Sequence, residues 1–167
     1  MFRNIDFILS LRLRGKAAIA GYVILGSLLV SLLAFLLAGN ARVERILYFP
    51  RDHGSGFVAE PRFLTRQRGL EGNITELVNS TLLGPSRPDA ARLFPRGATV
   101  RAAMLRGHTL YLDLTSRILD TDPEVPLPVP SAVNVLGKSI RLNFPRVREI
   151  DLYIDGQVPN FPDKKKI

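Results

Sequence analysis

The chain has no cysteine and no tryptophan, and only two histidines in 167 residues. Without cysteine there is no disulfide, no thiolate metal site and no lipidated cysteine at a processed amino end. Imidazole chemistry is confined to His53 and His108. Neither has a second histidine three or four residues away, so neither fits a zinc pair on one helix face. Lysine is scarce as well: residues 40–163 hold 15 arginines and a single lysine, Lys138, against 14 acidic residues. That body has a balance of +2, so +6 of the overall charge of +8 sits at the two ends. No aromatic residues interleave with a basic stripe, and nucleic acid is therefore not expected as a partner.

A charge-free stretch is what stands out instead. Residues 17–38 read AAIAGYVILGSLLVSLLAFLLA, 22 residues without a charged side chain. About 20 apolar residues cross a bilayer core. A cleaved signal peptide has an apolar region of roughly 7–15 residues, so Gly39-Asn40-Ala41 follows a run too long for one. A buried soluble helix would show a polar face, and Gly21, Gly26, Ser27 and Ser31 suit a helix in lipid. The expectation is a retained single-pass anchor. Before it, Arg3, Arg12, Arg14 and Lys16 face Asp6 alone, so the positive-inside rule places residues 1–16 in the cytoplasm and the rest outside. Phe2, Ile5, Ile8, Leu9 and Leu13 recur at helical spacing, as in an interfacial helix.

The expected division is a basic N-terminus over 1–16, an anchor over 17–39, a folded domain over 40–158 and a basic tail over 159–167 with Lys164, Lys165 and Lys166. In the folded part, ARVERILYFP (41–50) reads as a strand that Pro50 and the glycines of DHGSG end. FVAEPRFL (57–64) reads as a second strand, placed at an edge by Pro61. Asn73 is a candidate N-cap for a helix whose stripe is Ile74, Leu77, Val78, Thr81 and Leu82, stopped by Gly84-Pro85. A turn of helix is expected over 88–93, then a hairpin around Arg106-Gly107-His108. In its second arm Leu110, Leu112 and Leu114 alternate with Thr109, Tyr111 and Asp113, the pattern of one buried face. DTDPEVPLPVP is a loop; a helix from Pro130 to about Asn143 turns Val133, Leu136 and Ile140 inward, and a last strand alternates Ile150, Leu152 and Ile154 before Asp155-Gly156. The order β-β-α-β-β-α-β predicts an α+β fold with helices on one face of a mixed sheet.

The helix ending in LLGP, the link LFPRGATV, the hairpin RGHTLYLDLTS and the closing VREIDLYIDG, with YFPRDHGSGFVAEPRFL ahead of them, resemble the GerMN domain of sporulation and spore germination over residues 43–157. The resemblance implies an extracytoplasmic module on a bacterial membrane-anchored protein, similar in fold to ring-building motifs. It brings no catalytic residues. This chain has Asn40 where lipoprotein members carry cysteine, and one domain copy where others carry two.

His53 and Ser55 are close in sequence but lack an orienting acid and an oxyanion site. Asp120, Asp122 and Glu124 lack the glycine and terminal bidentate acid of a calcium loop. No catalytic residue, metal or cofactor is expected. The candidate interaction residues are Arg62, Arg66 and Arg68, which can grip carboxylate or phosphate, and Asp113, an acid within an apolar arm. The reading is a non-enzymatic module acting through other envelope proteins or self-association, with cell-envelope polymer or a small ligand as the alternative.

Overall fold

A computed structural model describes residues 3–37 and 42–160, with side chains from Ala18 to Phe35 and throughout 42–160. The Gly39-Asn40-Ala41 boundary, Phe2 and the three lysines of the tail lie outside the described residues. The chain divides into two units, one up to Ala41 and one from Arg42 onward.

The first unit is α1, Arg3–Leu37, a single helix that includes the sequence expected to lie at the interface. Its apolar window, Ala18–Phe35, spans 18 residues with no side chain buried. At 1.5 Å per residue that is about 27 Å, close to the thickness of a bilayer core. By length and composition alone it is long and apolar enough to cross a membrane, as an anchor or a signal sequence is.

The second unit is the α+β fold in the predicted order. Strands β1 (Arg42–Pro50) and β2 (Phe57–Thr65) form an antiparallel ribbon, with Ile46 opposite Pro61. Helix α2 (Gly69–Leu82) follows, then β3 (Val100–Arg106), β4 (Thr109–Leu114), a short 3-10 turn, helix α3 (Val129–Asn143) and β5 (Glu149–Ile154). The last three strands make a mixed sheet in the order β3-β4-β5, antiparallel between β3 and β4 and parallel between β4 and β5. The five strands thus divide over two sheets. A parallel neighbour needs a crossover, and α3 provides it.

The alternation read from the sequence is the one observed. Leu110, Leu112, Leu114, Ile150, Leu152 and Ile154 are buried, and they share one core with Ile74, Leu77 and Val78 of α2 and Val133, Leu136 and Ile140 of α3. Fully burying such a side chain stabilises by about 1.5–3 kcal/mol, so this set dominates the fold's stability. Leu47 and Phe49 join from β1. The hairpin joining β3 to β4 turns on Gly107 and His108, with Gly107 at φ 63°, the pattern of a II′ turn.

Two local expectations are corrected. Asn73 is not the N-cap of α2, because the helix starts earlier, at Gly69, with Arg68 at the cap. The Asn73 amide instead reaches back to Gln67, accepting from its N–H at 3.1 Å and donating to its carbonyl at 2.9 Å. Residues 88–93 form no helical turn; Ala90 bridges to Arg51 in extended pairing.

Pro61 has a physical explanation. Its partner Ile46 turns both backbone groups away from β2, where Asn143 satisfies them: the Ile46 N–H donates to Asn143 Oδ1 at 3.0 Å and Asn143 Nδ2 donates to the Ile46 carbonyl at 2.7 Å. Position 61 therefore lies at a pair without ladder bonds, where a missing N–H costs nothing within the ribbon. Ser139 Oγ accepts from the Tyr48 N–H at 3.0 Å, so α3 closes the β1 edge with polar side chains.

Candidate functional site

The structure separates the three arginines singled out in the sequence. Val58, Glu60, Arg62 and Leu64 share one parity of β2, the inward one, whereas Arg66 and Arg68 follow the strand and are exposed. The Arg62 side chain is 14% exposed and its Nε lies 2.6 Å from Glu60 Oε1. It also donates to the carbonyls of Ser80, at 2.8 Å, and Gly84, at 2.6 Å, and stacks over the Phe49 ring at 5.3 Å. Arg92 donates to the carbonyls of Leu82 and Leu83 from the other side. Carbonyls at a helix C-terminus lack intrahelical donors and carry partial negative charge, so two guanidinium groups there both satisfy and neutralise the end of α2. Arg62 is committed inside the domain and does not form a surface grip with Arg66 and Arg68.

Asp113 lies near the C-terminal end of β4, in the three-stranded sheet. Its Oδ1 accepts the Gly156 N–H at 3.0 Å and its Oδ2 is 3.7 Å from Arg101. Arg101 sits at a β-bulge in β3 and also reaches Asp155 at 3.1 Å. Asp155 in turn accepts the Ser116 N–H at 3.1 Å. Hydrogen bonding from Ser116, helped by the charge of Arg101, holds the Asp155 carboxyl below the usual carboxylate range. The group is an exposed lattice that ties the ends of β3, β4 and β5 together, and such surface pairs stabilise little individually.

The remaining polar candidates are dispersed. His53 is 95% exposed in the β1–β2 loop, 3.5 Å from Asp52. His108 places Nδ1 at 3.0 Å from the Arg146 carbonyl, far along the chain from Ser55. Asp122 accepts the Glu124 N–H and Glu124 pairs with Arg96 at 2.8 Å, which gives the acidic loop a structural role. Among the described residues, no set of three metal-binding side chains converges. An apolar cleft of about 180 Å³ lies among Leu93, Pro95, Ile118, Val125 and Leu127. Typical ligand pockets begin near 300 Å³.

What the sequence reading did not find is the outer side of the β3-β4-β5 sheet. Both helices share a core with the Leu110 face, so Met104, Tyr111 and Tyr153 are on the other. The two tyrosine rings stand 6.5 Å apart. Arg101 and Arg106 flank this face on β3, and Glu149 and Asp151 on β5. At the edges, the Leu105 N–H of β3 is taken by Glu71 Oε1 at 2.7 Å. The β5 amides of Glu149 and Asp155 point to β4, where they meet the carbonyls of His108 and Leu114. By alternation Ile150 and Leu152 point their N–H and C=O away from the sheet, and no described residue pairs with them. The alternating EIDLYI shows the strand, but only the strand order shows that it ends a sheet.

The sequence profile named Germane, sporulation and spore germination, matches residues 46–159. The fold is similar to the first GerMN domain of the sporulation protein GerM from Bacillus subtilis, with a TM-score of 0.57 at 16% identity, covering 70% of this chain and 86% of that one. The tandem GerMN domains of the same protein give a TM-score of 0.61 at 15% identity, over 75% of this chain and 46% of that one. No curated protein matches the sequence.

Proposed function

This chain belongs to the sporulation and spore germination family, and from that premise we propose that it is a non-enzymatic, membrane-anchored module that works outside the cytoplasm by protein contact. In this reading α1 remains in the cytoplasmic membrane, the basic N-terminus stays inside and the α+β unit stands outside. The observation that carries the proposal is the outer edge of β5, where Ile150 and Leu152 offer backbone donors and acceptors without a described partner. Such an edge accepts an extended strand from another chain, with main-chain hydrogen bonds supplying affinity.

Charge narrows the partner. Two β5 edges brought together would set Glu149 and Asp151 against their own kind, and like charges directly opposite destabilise a pair. The partner strand is therefore one with basic side chains, on another envelope protein. Tethering in two dimensions raises the effective concentration, so modest affinity suffices. The small cleft beneath the acidic loop supports a small-molecule role less well.

A photo-crosslinking residue at Asp151, in full-length protein in its native membrane, tests this. The expected product is a discrete adduct with one envelope protein, absent when the same residue replaces His53. An adduct with cell-wall polymer alone, or the same pattern from both positions, would overturn the proposal.

A further inference from the structure

Toward its Phe63 end the β1–β2 ribbon has a second face that the core does not use. Residues 42, 44 and 46 of β1 and the odd-numbered residues of β2 point outward, which puts Ile46, Pro61, Ala59 and Phe63 on one surface. Phe63 is 70% exposed and Ile46 38%. An isolated exposed apolar residue is ordinary, whereas here a phenylalanine, an isoleucine and a proline share one ribbon face as a small apolar patch.

The surroundings of Phe63 are basic. Arg42 pairs with Thr65 at the same end of the ribbon, and Arg66 and Arg68 continue from β2. All three are exposed, and among the described residues none forms an ion pair. The acids nearby are Glu44, opposite Phe63, and Glu71, which is occupied by the Leu105 N–H. Three arginines against Glu44 and Glu71 leave this end with a charge of +1.

The short link to α1 lets that end reach lipid when α1 is an anchor. Only residues 38–41 separate Leu37 from Arg42, and five extended steps span at most roughly 18 Å. We propose that the Phe63 end of the ribbon docks on anionic lipid headgroups of the membrane that α1 spans, with Phe63 entering the interface and Arg42, Arg66 and Arg68 meeting lipid phosphates. Aromatic rings favour the interfacial zone, and each basic residue near an anionic surface multiplies the docked-to-free ratio by roughly five. Docking fixes the domain's tilt and so decides which way the β5 edge faces. This inference rests on the retained anchor of the preceding reading, not on the β5 contact.

The absence of native cysteine makes the test direct. Full-length protein bearing Phe63→Cys with an environment-sensitive label is reconstituted into phosphatidylcholine vesicles with or without about 30% phosphatidylglycerol, at a fraction chosen to give appreciable surface charge. Asp151→Cys serves as a second label position. The label at position 63 should be shielded from an aqueous quencher and quenched by lipid-borne probes in anionic vesicles only. Salt near 1 M, where screening acts within about 3 Å, should reverse this, as should Arg66→Glu with Arg68→Glu. Flotation of the same sample reads anchoring separately. A chain that floats while its label stays open to water overturns the docking alone; a chain that does not float overturns the anchor and the docking with it. Shielding found only in native membranes, and not in vesicles, means that a protein covers the face and the lipid assignment fails.

Discussion

Asp155 and Gly156 carry the sharpest local demand on residue identity. They make the turn after β5 with φ of 48° and 78°, and Ile154 and Gln157 exchange both backbone hydrogen bonds across it. An Asp-Gly pair is the favoured chemistry for a two-residue turn with both central residues left-handed. A methyl group at Gly156 would meet nothing within 4 Å, so the cost of Gly156→Ala is the backbone conformation alone, about 1–2 kcal/mol. Gly84 is the informative contrast: at φ 94° its added methyl would also lie 2.5 Å from Arg92 Nη1. Gly84→Ala should therefore destabilise the domain more than Gly156→Ala, a ranking that denaturant unfolding followed by near-ultraviolet circular dichroism will check. Equal losses would mean that the Arg92 clamp contributes nothing.

At the scale of elements, α2 is held by its C-terminal carbonyls as much as by its apolar stripe. Arg62 and Glu60 lie inside, and removing one member of a buried pair leaves the other without compensation, typically at about 3–5 kcal/mol. Arg62→Ala should fall in that range, and Arg62→Met together with Glu60→Met should recover only part of the loss, because the Ser80 and Gly84 carbonyls and the Ser86 N–H stay without their partners. If the single change costs under about 1 kcal/mol, as for an exposed pair, the clamp is not structural. The elements themselves were legible because periodicity is local: the leucines of β4 and the stripe of α2 reveal their faces within a few residues. The committed role of Arg62 was not. Its parity with Val58 and Leu64 was visible, but its partners Ser80 and Gly84 are 18 and 22 residues away. Closure of the β1 edge by Asn143 spans 97 residues and leaves no local trace. The start of α2 is hidden for a related reason, since Asn73 bonds backward to Gln67 from within the helix and looks the same in sequence as a cap. Of the candidate site, Arg66, Arg68 and Asp113 were found at the surface or at a strand end, whereas the open β5 edge emerged only from the strand order.

For the whole molecule, an apolar helix of membrane length and a compact α+β unit are joined by four residues, 38–41. The unit's buried chemistry serves its own architecture, and its unpaired backbone and exposed aromatic residues lie at its periphery. The proposed division of labour gives α1 the membrane, the Phe63 end of the ribbon the lipid surface and β5 the protein partner. The most direct measurement is extraction of the tagged full-length protein from native membranes in mild detergent, followed by affinity capture, sizing and identification of what accompanies it. The account predicts an intact amino terminus, resistance to alkaline washing and a particle larger than one chain that contains a discrete envelope protein. A mature chain that begins near Ala41 and is recovered free of membrane, or an intact chain that is captured alone as a monomer, would contradict it.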